Sequence, residues 1–235
     1  MQCLRSLRGC VSHGALSHAR VPGEKSLPIL KELVISRDQA VQFLRSRRSI
    51  RRYKDKPVEK QTLQMLIETA RYAPTSSNSQ AVAWTVFTDK EALRHLSGLV
   101  VDWMRHLLGQ HPEIIAKTYL PQIIKAWESD VDPILWDAPA MVLASSPSMG
   151  NAILPDNGLV NLTIAMSYLE LAALPLGLGT CWAGIFQAAL NNWEPLKTAV
   201  SLPEGHINHY PMMLGYPRFE YHQMPERKQP EITWR

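Results

Sequence analysis

Apolar residues in the first half of the chain recur every three to four positions, which is the spacing of an amphipathic helix. The first such stretch begins after Ser36, which stands three residues before Gln39 as in a capping box. A second covers residues 58–72, and a third runs from Leu93 to Leu107. These patterns predict three helices, and the first of them ends in a run of arginines.

Alternation of apolar and polar side chains over residues 81–88 predicts a half-buried strand. Two further strands are predicted, a short buried one over residues 140–144 and another over residues 210–216. The remaining predicted elements are one or two helices within 112–137, helices over 185–193 and 195–200, and a candidate strand over 231–234.

Residues 157–174 form the most apolar helix of the chain, so we expect this helix to run through the core. Pro175 ends it, and a glycine-rich turn over residues 177–184 follows. Asn161, Glu170 and Pro175 interrupt the apolar stretch, which argues against a membrane span. The pattern therefore predicts a soluble protein.

Composition narrows the class of protein further. A chain of 235 residues holds one large domain or two small ones. The net charge is +4 and the pI about 9.0, but much of the excess lies in residues 1–60, so charge alone does not indicate nucleic-acid binding. Three cysteines (Cys3, Cys10 and Cys181) cannot form a disulfide framework, which favours a reducing compartment and a cytoplasmic location.

Four short segments carry candidate binding chemistry. Arg47, Arg48, Ser49 and Arg51 place a hydroxyl among guanidinium groups, a combination that suits a phosphate. The alternative for this cluster is a solvated basic surface or a nucleic-acid contact. The other candidate residues lie in a polar loop, in the glycine-rich turn and near the C-terminus: Ser76, Ser77, Asn78, Gln80; Cys181, Trp182, Ala183, Gly184; Arg227, Lys228.

In this order and spacing the segments resemble the FMN-dependent nitroreductase family, from about residue 38 to the C-terminus. The resemblance is carried by the motifs RRSIR (47–51), PTSSNSQ (74–80), GLGTCWAG (177–184) and LGYP (214–217). It implies an α+β fold in which helices flank a central, mostly antiparallel sheet. It also implies an intertwined homodimer, with an FMN-binding domain over residues 36–235.

The resemblance implies a role for each candidate residue. Arg47 and Ser49 would grip the FMN phosphate with Arg48 close by, and Arg227 and Lys228 would complete that site. Arg51 would lie near flavin N1 and O2. Asn78, with Gln80 as a weaker candidate, would bind the pyrimidine edge or the ribityl chain, while Ser76 and Ser77 would reach the flavin of the other subunit. The N–H of Ala183 or Gly184 would point at flavin N5, and Trp182 and Cys181 belong to the same turn.

The chain departs from the family pattern at two positions. Ala81 stands where a proline often follows the glutamine, and Ala183 replaces the usual acidic residue before the glycine of the turn. A backbone donor survives the second change, but the substrate pocket becomes less polar.

The implied activity is ping-pong hydride transfer, in which NAD(P)H reduces the flavin and a nitroaromatic, a quinone or a similar acceptor is then reduced. Two alternatives remain. The same fold acts on another acceptor, by enone reduction or dehalogenation, or the chain is a flavin-binding redox module with little turnover. No catalytic acid or base is expected, because the flavin carries the chemistry, and neither nucleic acid nor a membrane is an expected partner.

Residues 1–35 form a separate segment. Cys10 and the residues after it resemble the end of a ferredoxin module that is fused in front of one branch of the family. Since a cubane cluster needs four thiolates, we expect a vestigial or flexible segment without an iron–sulfur cluster or other metal. A mitochondrial transit peptide is the alternative, because no acidic residue precedes Glu24.

Overall fold

A computed structural model describes residues 28–151, 153 and 155–235. The expectations for Cys3, Cys10 and the ferredoxin-like stretch lie outside these residues. Residues 28–35 are exposed and include one turn of 3-10 helix, Lys31–Leu33. The predicted boundary between residues 35 and 36 therefore stays a prediction.

The first helix, α1, spans Arg37–Ser46 and begins as predicted. The Ser36 hydroxyl accepts a hydrogen bond from the N–H of Gln39 at 3.2 Å, and the Gln39 side chain accepts one from the N–H of Ser36 at 2.8 Å. This reciprocal capping box is confirmed. The next helix, α2, spans Lys60–Ala70, within the predicted range 58–72.

Six further α-helices follow among the described residues. Their bounds are α3 Lys90–Gln110, α4 Pro112–Ile115, α5 Leu120–Glu128, α6 Gly158–Ala173, α7 Gly184–Asn192 and α8 Glu194–Val200.

The strands are β1 Ala83–Phe87, β2 Ala140–Pro147, β3 Gly179–Trp182 and β4 His206–Gly215. They form one sheet in the order β1-β2-β4-β3, and each neighbouring pair is antiparallel. The prediction of a mostly antiparallel sheet is confirmed. The prediction of a turn over residues 177–184 is wrong for residues 179–182, which pair with β4 as a strand.

Helices cover both faces of this sheet. Successive residues of β2 point to opposite faces, so Val142 packs with Leu66 of α2 and Leu162 of α6, whereas Met141 packs among α3, α7 and α8. Because both faces are covered, β2 is buried from Ala140 to Ser146, and its first five residues form a continuous apolar run. The fold class α+β is confirmed.

Helix α6 packs against the sheet with one side only. Leu162, Met166 and Leu169 are fully buried, but Leu159 and Tyr168 are 47% and 42% exposed, so the expected all-round burial is wrong. The span Gly158–Leu176 is long and apolar enough to cross a membrane, with a mean hydropathy of 1.5 in its most apolar stretch. Of that stretch, 39% is buried inside the protein. In this fold it is the central helix of one layer.

The segment after α1 runs along the free edge of β3. The N–H of Ile50 donates to the carbonyl of Thr180 at 2.8 Å, and Ser49 forms a parallel bridge with the same residue. The chain after β4 then lies beside this segment, since the N–H of Arg218 donates to the carbonyl of Arg52 at 2.9 Å. Residues 231–234 form no strand within the described part of this chain, and Trp234 is 87% exposed.

Candidate active site

A cleft of about 570 Å³ opens where the α4–α5 region faces the junction of β3 and α7. Aromatic and aliphatic side chains form most of its walls, and the polar side chains among them are those of Arg51, Tyr119 and Gln122. The lining residues are Arg51, Tyr119, Gln122, Ile123, Ala126, Pro133, Ile134, Trp136, Trp182, Ala183, Gly184, Ile185 and Met213.

The buried carboxylate of Asp132 holds one wall of the cleft in place. Its Oδ1 accepts hydrogen bonds from the N–H groups of Ile134 and Leu135, at 2.8 and 3.1 Å. Its Oδ2 accepts one from the Ser97 hydroxyl of α3 at 3.0 Å. Asp132 therefore connects the turn that contains Pro133 and Ile134 to the long helix α3.

Trp136 ends this wall in an unusual backbone conformation. Its φ is 58° and that of Asp137 is 51°, both in the left-handed region that side-chain-bearing residues seldom adopt. The Arg52 guanidinium lies 5.1 Å from the centre of the Trp136 ring, a cation–π contact. Burial raises the pKa of Asp137, with nearby Asp132 adding to the effect. Non-glycine residues with such φ values cluster at active sites and ligand-binding sites.

The opposite wall contains the start of α7. Gly184 is the first residue of that helix, where N–H groups have no partner within the helix and suit an electron-rich ligand atom. The N–H of Ala183 instead donates to the carbonyl of Pro211 at 3.0 Å. Of the two alternative donors predicted for flavin N5, the N–H of Ala183 is already paired within the chain, and that of Gly184 remains the candidate.

Arg51 provides the cation of the cleft. Among the residues described by the structure, its side chain takes part in no hydrogen bond or ion pair. Burial raises the pKa of the Cys181 thiol. The positive charge of Arg51 and a hydrogen bond with the Ser49 hydroxyl lower that pKa, but by less than burial raises it. Burial also holds the pKa of Tyr53 far above its usual value, and the Tyr53 hydroxyl donates to the carbonyl of Ile50 at 2.6 Å. Cys181 itself is buried, and its burial favours the neutral thiol.

Arg47 is paired with an acid that sequence reasoning did not select. Its Nη1 lies 3.0 Å from Oε1 of Glu170 on α6. Oε1 also accepts from the Thr180 hydroxyl at 3.4 Å, and Oε2 accepts from the indole N–H of Trp182 at 3.2 Å. The available signal was a lone acid within the most apolar helix of the chain.

Arg48 contacts the C-terminal tail. Its Nη2 donates to the carbonyl of Gln223 at 2.7 Å, and its guanidinium lies 4.6 Å from the centre of the Tyr221 ring. Its Nε is buried without a hydrogen-bond partner. Arg227 and Lys228 lie further along the same tail, exposed and away from the cleft lining, and Arg227 donates to the neighbouring carbonyl of Glu226 at 2.8 Å.

The polar loop is strained, but it does not line the cleft. Ser77, Asn78 and Gln80 have φ values of 54°, 52° and 53°. The N–H of Ser76 donates to the buried Asn161 side chain of α6 at 2.8 Å, and the Gln80 amide donates to that of Asn78 at 3.0 Å. Within one chain the structure thus keeps Ser76, Ser77, Asn78 and Gln80 apart from Arg51 and Gly184.

No group of three or more His, Cys, Asp or Glu side chains that could hold a metal occurs among residues 28–151, 153 and 155–235.

The cleft of this α+β fold thus brings together aromatic side chains, an arginine that is unpaired among the described residues and the N-terminus of a helix. The sequence model of the nitroreductase family matches residues 44–216, well over half of the chain. The chain belongs to the nitroreductase family.

Individual proteins show the same similarity. The chain is 26% identical to the FMN reductase (NAD(P)H) of Bacillus subtilis over 197 residues, which cover 83% of this chain and 73% of that protein. Among solved structures it resembles a nitroreductase with bound FMN from Bacteroides fragilis, with a TM-score of 0.65 and 20% identity over 83% of this chain and 97% of that one. It also resembles a BluB-like flavoprotein from Clostridium difficile, with a TM-score of 0.64 and 19% identity over 81% and 94% of the two chains. These likenesses extend the family assignment to the fold.

Proposed function

We propose that this protein binds FMN and uses NAD(P)H to reduce flat conjugated acceptors such as nitroaromatics and quinones. Membership of the nitroreductase family makes the chain an FMN-dependent NAD(P)H oxidoreductase. One observation carries the choice of acceptor: the cleft joins aromatic walls, the unpaired Arg51 and the start of α7 in one place. When bound, FMN supplies hydride transfer, and the protein supplies binding and orientation.

The described residues fit this cofactor. The buried Nε of Arg48 has no partner, which is a defect unless an acceptor such as a phosphate oxygen reaches it. Arg51 is free to face the electron-rich side of a ring, and Gly184 keeps the entrance of α7 clear of a side chain. A donor set of two arginines and a helix N-terminus suits an anionic, heterocyclic ligand.

Each residue then has a defined task. Ser49, Arg47 and Arg48 hold the phosphate end, and Arg227 and Lys228 add charge to it from the tail. Arg51 holds positive charge near the ring, where it stabilises added electron density. Gly184 would offer its N–H, at the start of α7, to the reactive edge of the ring. No residue of this chain is assigned as a general acid or base.

The region 112–137 sets the shape of the acceptor site. Tyr119, Gln122 and Trp136 line the cleft opposite Trp182, so a flat acceptor enters between aromatic side chains. Stacking of this kind favours planar ligands. The positive charge of Arg51 favours ligands whose oxygen atoms carry partial negative charge, such as those of nitro and carbonyl groups.

A second copy of this chain completes the site. The outer face of α6 exposes Leu159, Val160 and Tyr168, and the tail exposes Ile232 and Trp234. Apolar groups in such numbers need a covering surface. A symmetric partner would cover them and bring its own Ser76, Ser77, Asn78 and Gln80 to the flavin, which explains why this loop lies outside the cleft of its own chain.

The test is spectroscopic. Purified protein is expected to carry or take up FMN, to lose the flavin absorbance on anaerobic addition of NADH or NADPH, and to regain it with a nitroaromatic or a quinone. An enone and a halogenated aromatic in the same acceptor panel distinguish the alternative reactions. A colourless protein that takes up no added FMN would overturn the proposal, and FMN binding without turnover would reduce it to a redox module.

A further inference from the structure

We propose that Glu170 is a positioning residue of the FMN site, which acts by orienting Arg47 and Trp182. The inference rests on the proposed function, because both residues act on the flavin only if FMN binds. Glu170 does not line the cleft, and its hydrogen-bond donors are Arg47, Trp182 and Thr180.

The burial of Glu170 requires an explanation. The residue is 7% exposed and lies on α6 beside the buried side chain of Leu169. An ionised carboxylate at such a place costs several kcal/mol unless donors compensate it. A leucine would fill the position without that cost, so a buried acid here indicates a task beyond packing.

The three donors of Glu170 come from two different elements. Arg47 follows directly after α1, whereas Thr180 and Trp182 belong to β3. The carboxylate divides its oxygens between them, with Arg47 on Oε1 at 3.0 Å and the Trp182 indole on Oε2 at 3.2 Å. The Glu170 carboxylate on α6 therefore sets the position of the Arg47 guanidinium relative to Trp182, which lines the cleft.

The geometry of Arg47 leaves it available for a ligand. Glu170 engages Nη1 alone, and no other described residue hydrogen-bonds to Nε or Nη2. A bidentate pair would have occupied the edge of the guanidinium that binds phosphate best. Anchoring one nitrogen instead fixes the long side chain, so less conformational entropy is lost when an anion binds the free edge.

Trp182 is fixed in a similar way. Its indole N–H is held by Glu170, and its ring meets that of Tyr210 edge-on at a centroid distance of 5.0 Å and an angle of 71°. These two contacts, at different edges of the Trp182 indole, restrict the ring to one orientation at the cleft. Loss of the Glu170 contact would free the indole to rotate about its side-chain bonds.

The experiment compares Glu170→Leu and Glu170→Gln by FMN titration of apoprotein, at a temperature well below unfolding. Freeing one long side chain is expected to raise the Kd of FMN about three- to tenfold in Glu170→Leu. Glu170→Gln keeps an acceptor oxygen and should restore part of the affinity. Glu68→Gln, which removes an exposed acid paired only with Arg71, is the matched control and should bind as wild type.

The Arg47→Met background separates positioning from general stability. If Glu170 acts on FMN mainly through Arg47, Glu170→Leu costs clearly less further affinity in the Arg47→Met background than in wild type, and any remaining loss reports on Trp182. Equal losses in both backgrounds, unchanged affinity in Glu170→Leu, or tighter binding in Glu170→Leu would each overturn the proposal. Tighter binding would mean that the carboxylate competes with FMN for Arg47.

A second readout needs no flavin. Trp182 emission, isolated among the seven tryptophans by difference with Trp182→Phe, should become more accessible to acrylamide in apo Glu170→Leu. Unchanged quenching would overturn the indole part of the proposal. If the wild-type protein binds no FMN, the proposed function fails. If the wild type binds FMN and the Glu170 variants bind it with the same affinity, only the role of Glu170 is rejected.

Discussion

Gly179 and Ile50 approach so closely that no side chain fits between them. A Cβ atom on Gly179 would lie 2.5 Å from Cγ1 and 2.8 Å from Cβ of Ile50, and 2.9 Å from Cγ of Pro217. The contact seals the segment after α1 against the edge of β3 and thereby sets the position of Ser49 and Arg51. The glycine is needed here for space and not for an unusual φ.

Gly179→Ala is expected to destabilise the protein by about 1–3 kcal/mol, since the added methyl group overpacks a site closed on two sides. Urea unfolding followed by circular dichroism measures the effect. Gly109→Ala is the control, because a Cβ in that helix meets nothing within 4 Å, and it should stabilise slightly, by about 0.5–1 kcal/mol. Equal stability of the two variants would contradict the packing argument.

Ser49→Ala and Arg51→Ala should separate binding from reduction. Loss of a hydrogen bond to a charged group costs about 1.5–3 kcal/mol, so Ser49→Ala should raise the Kd of FMN by about tenfold or more. With FMN saturating, its NADH or NADPH oxidation rate should stay near wild type.

Arg51→Ala should show the opposite pattern, with a larger loss in the rate of NAD(P)H oxidation than in FMN affinity. Its charge matters most as electron density arrives on the ring, and loss of one such group typically costs about 10²–10³ in rate. Arg45→Ala, at an exposed position in the last turn of α1, is the control for charge alone. A uniform loss of affinity in all three variants would show that net charge, and not position, matters.

Asp132→Ala should weaken both the fold and the acceptor site. Three buried donors lose their partner, which is expected to cost about 2–3 kcal/mol in the free energy of unfolding. Because the same turn carries Ile134 and Trp136, the KM for the acceptor should rise as well. Asp132→Asn retains Oδ1 and should retain more of both properties. Lowered stability with an unaltered KM would disconnect this turn from the acceptor.

Asp156 predicts how stability depends on pH. Hydrogen bonds from the Asn208 side chain and from the N–H groups of Met149 and Gly158 lower its pKa from 3.8 to about 2. A carboxyl group with a depressed folded-state pKa contributes stability above its unfolded pKa and loses it as pH falls through the folded value. That contribution is therefore present at neutral pH and is lost between about pH 4 and pH 2.

Asp156→Ala should consequently lower the urea midpoint at pH 7, and the difference from wild type should shrink as the pH falls towards 2.5. The measurement is a series of urea unfolding curves across this range. A difference between the two proteins that is independent of pH would mean that Asp156 contributes through packing and not through its charge.

Removal of the tail tests the predicted dimer. A chain that ends at residue 224 lacks the exposed Ile232 and Trp234, and it should lose both self-association and FMN. Analytical ultracentrifugation together with flavin absorbance follows the two properties. A monomer that still holds FMN would contradict the view that a partner completes the site.

Much of the fold follows from local pattern. The capping box at Ser36, the apolar run of β2 and the bounds of α7 and α8 depend on residues within a few positions of one another, so periodicity and helix caps predict them. The family resemblance, carried by motifs such as RRSIR, likewise lies in short stretches, and the match over residues 44–216 agrees with it.

The features that escaped prediction depend on distant partners. Residues 179–182 contain glycine and resembled a turn, but β4 and Ile50 make them a strand that only a glycine at 179 allows. The N–H of Ala183 donates a hydrogen bond to the carbonyl of Pro211. Helix α6 exposes apolar side chains on its outer face. Glu170 meets Arg47 across 123 positions of sequence.

The sequence by itself thus determined the elements, their order and the family, because helix periodicity, caps and motifs are properties of neighbouring residues. Only the tertiary structure decided which donors stay free for a ligand. That outcome depends on which backbone and side-chain groups the fold has already paired, as with Ala183 and Pro211 or with Arg47 and Glu170, and such pairs form only when remote segments pack together.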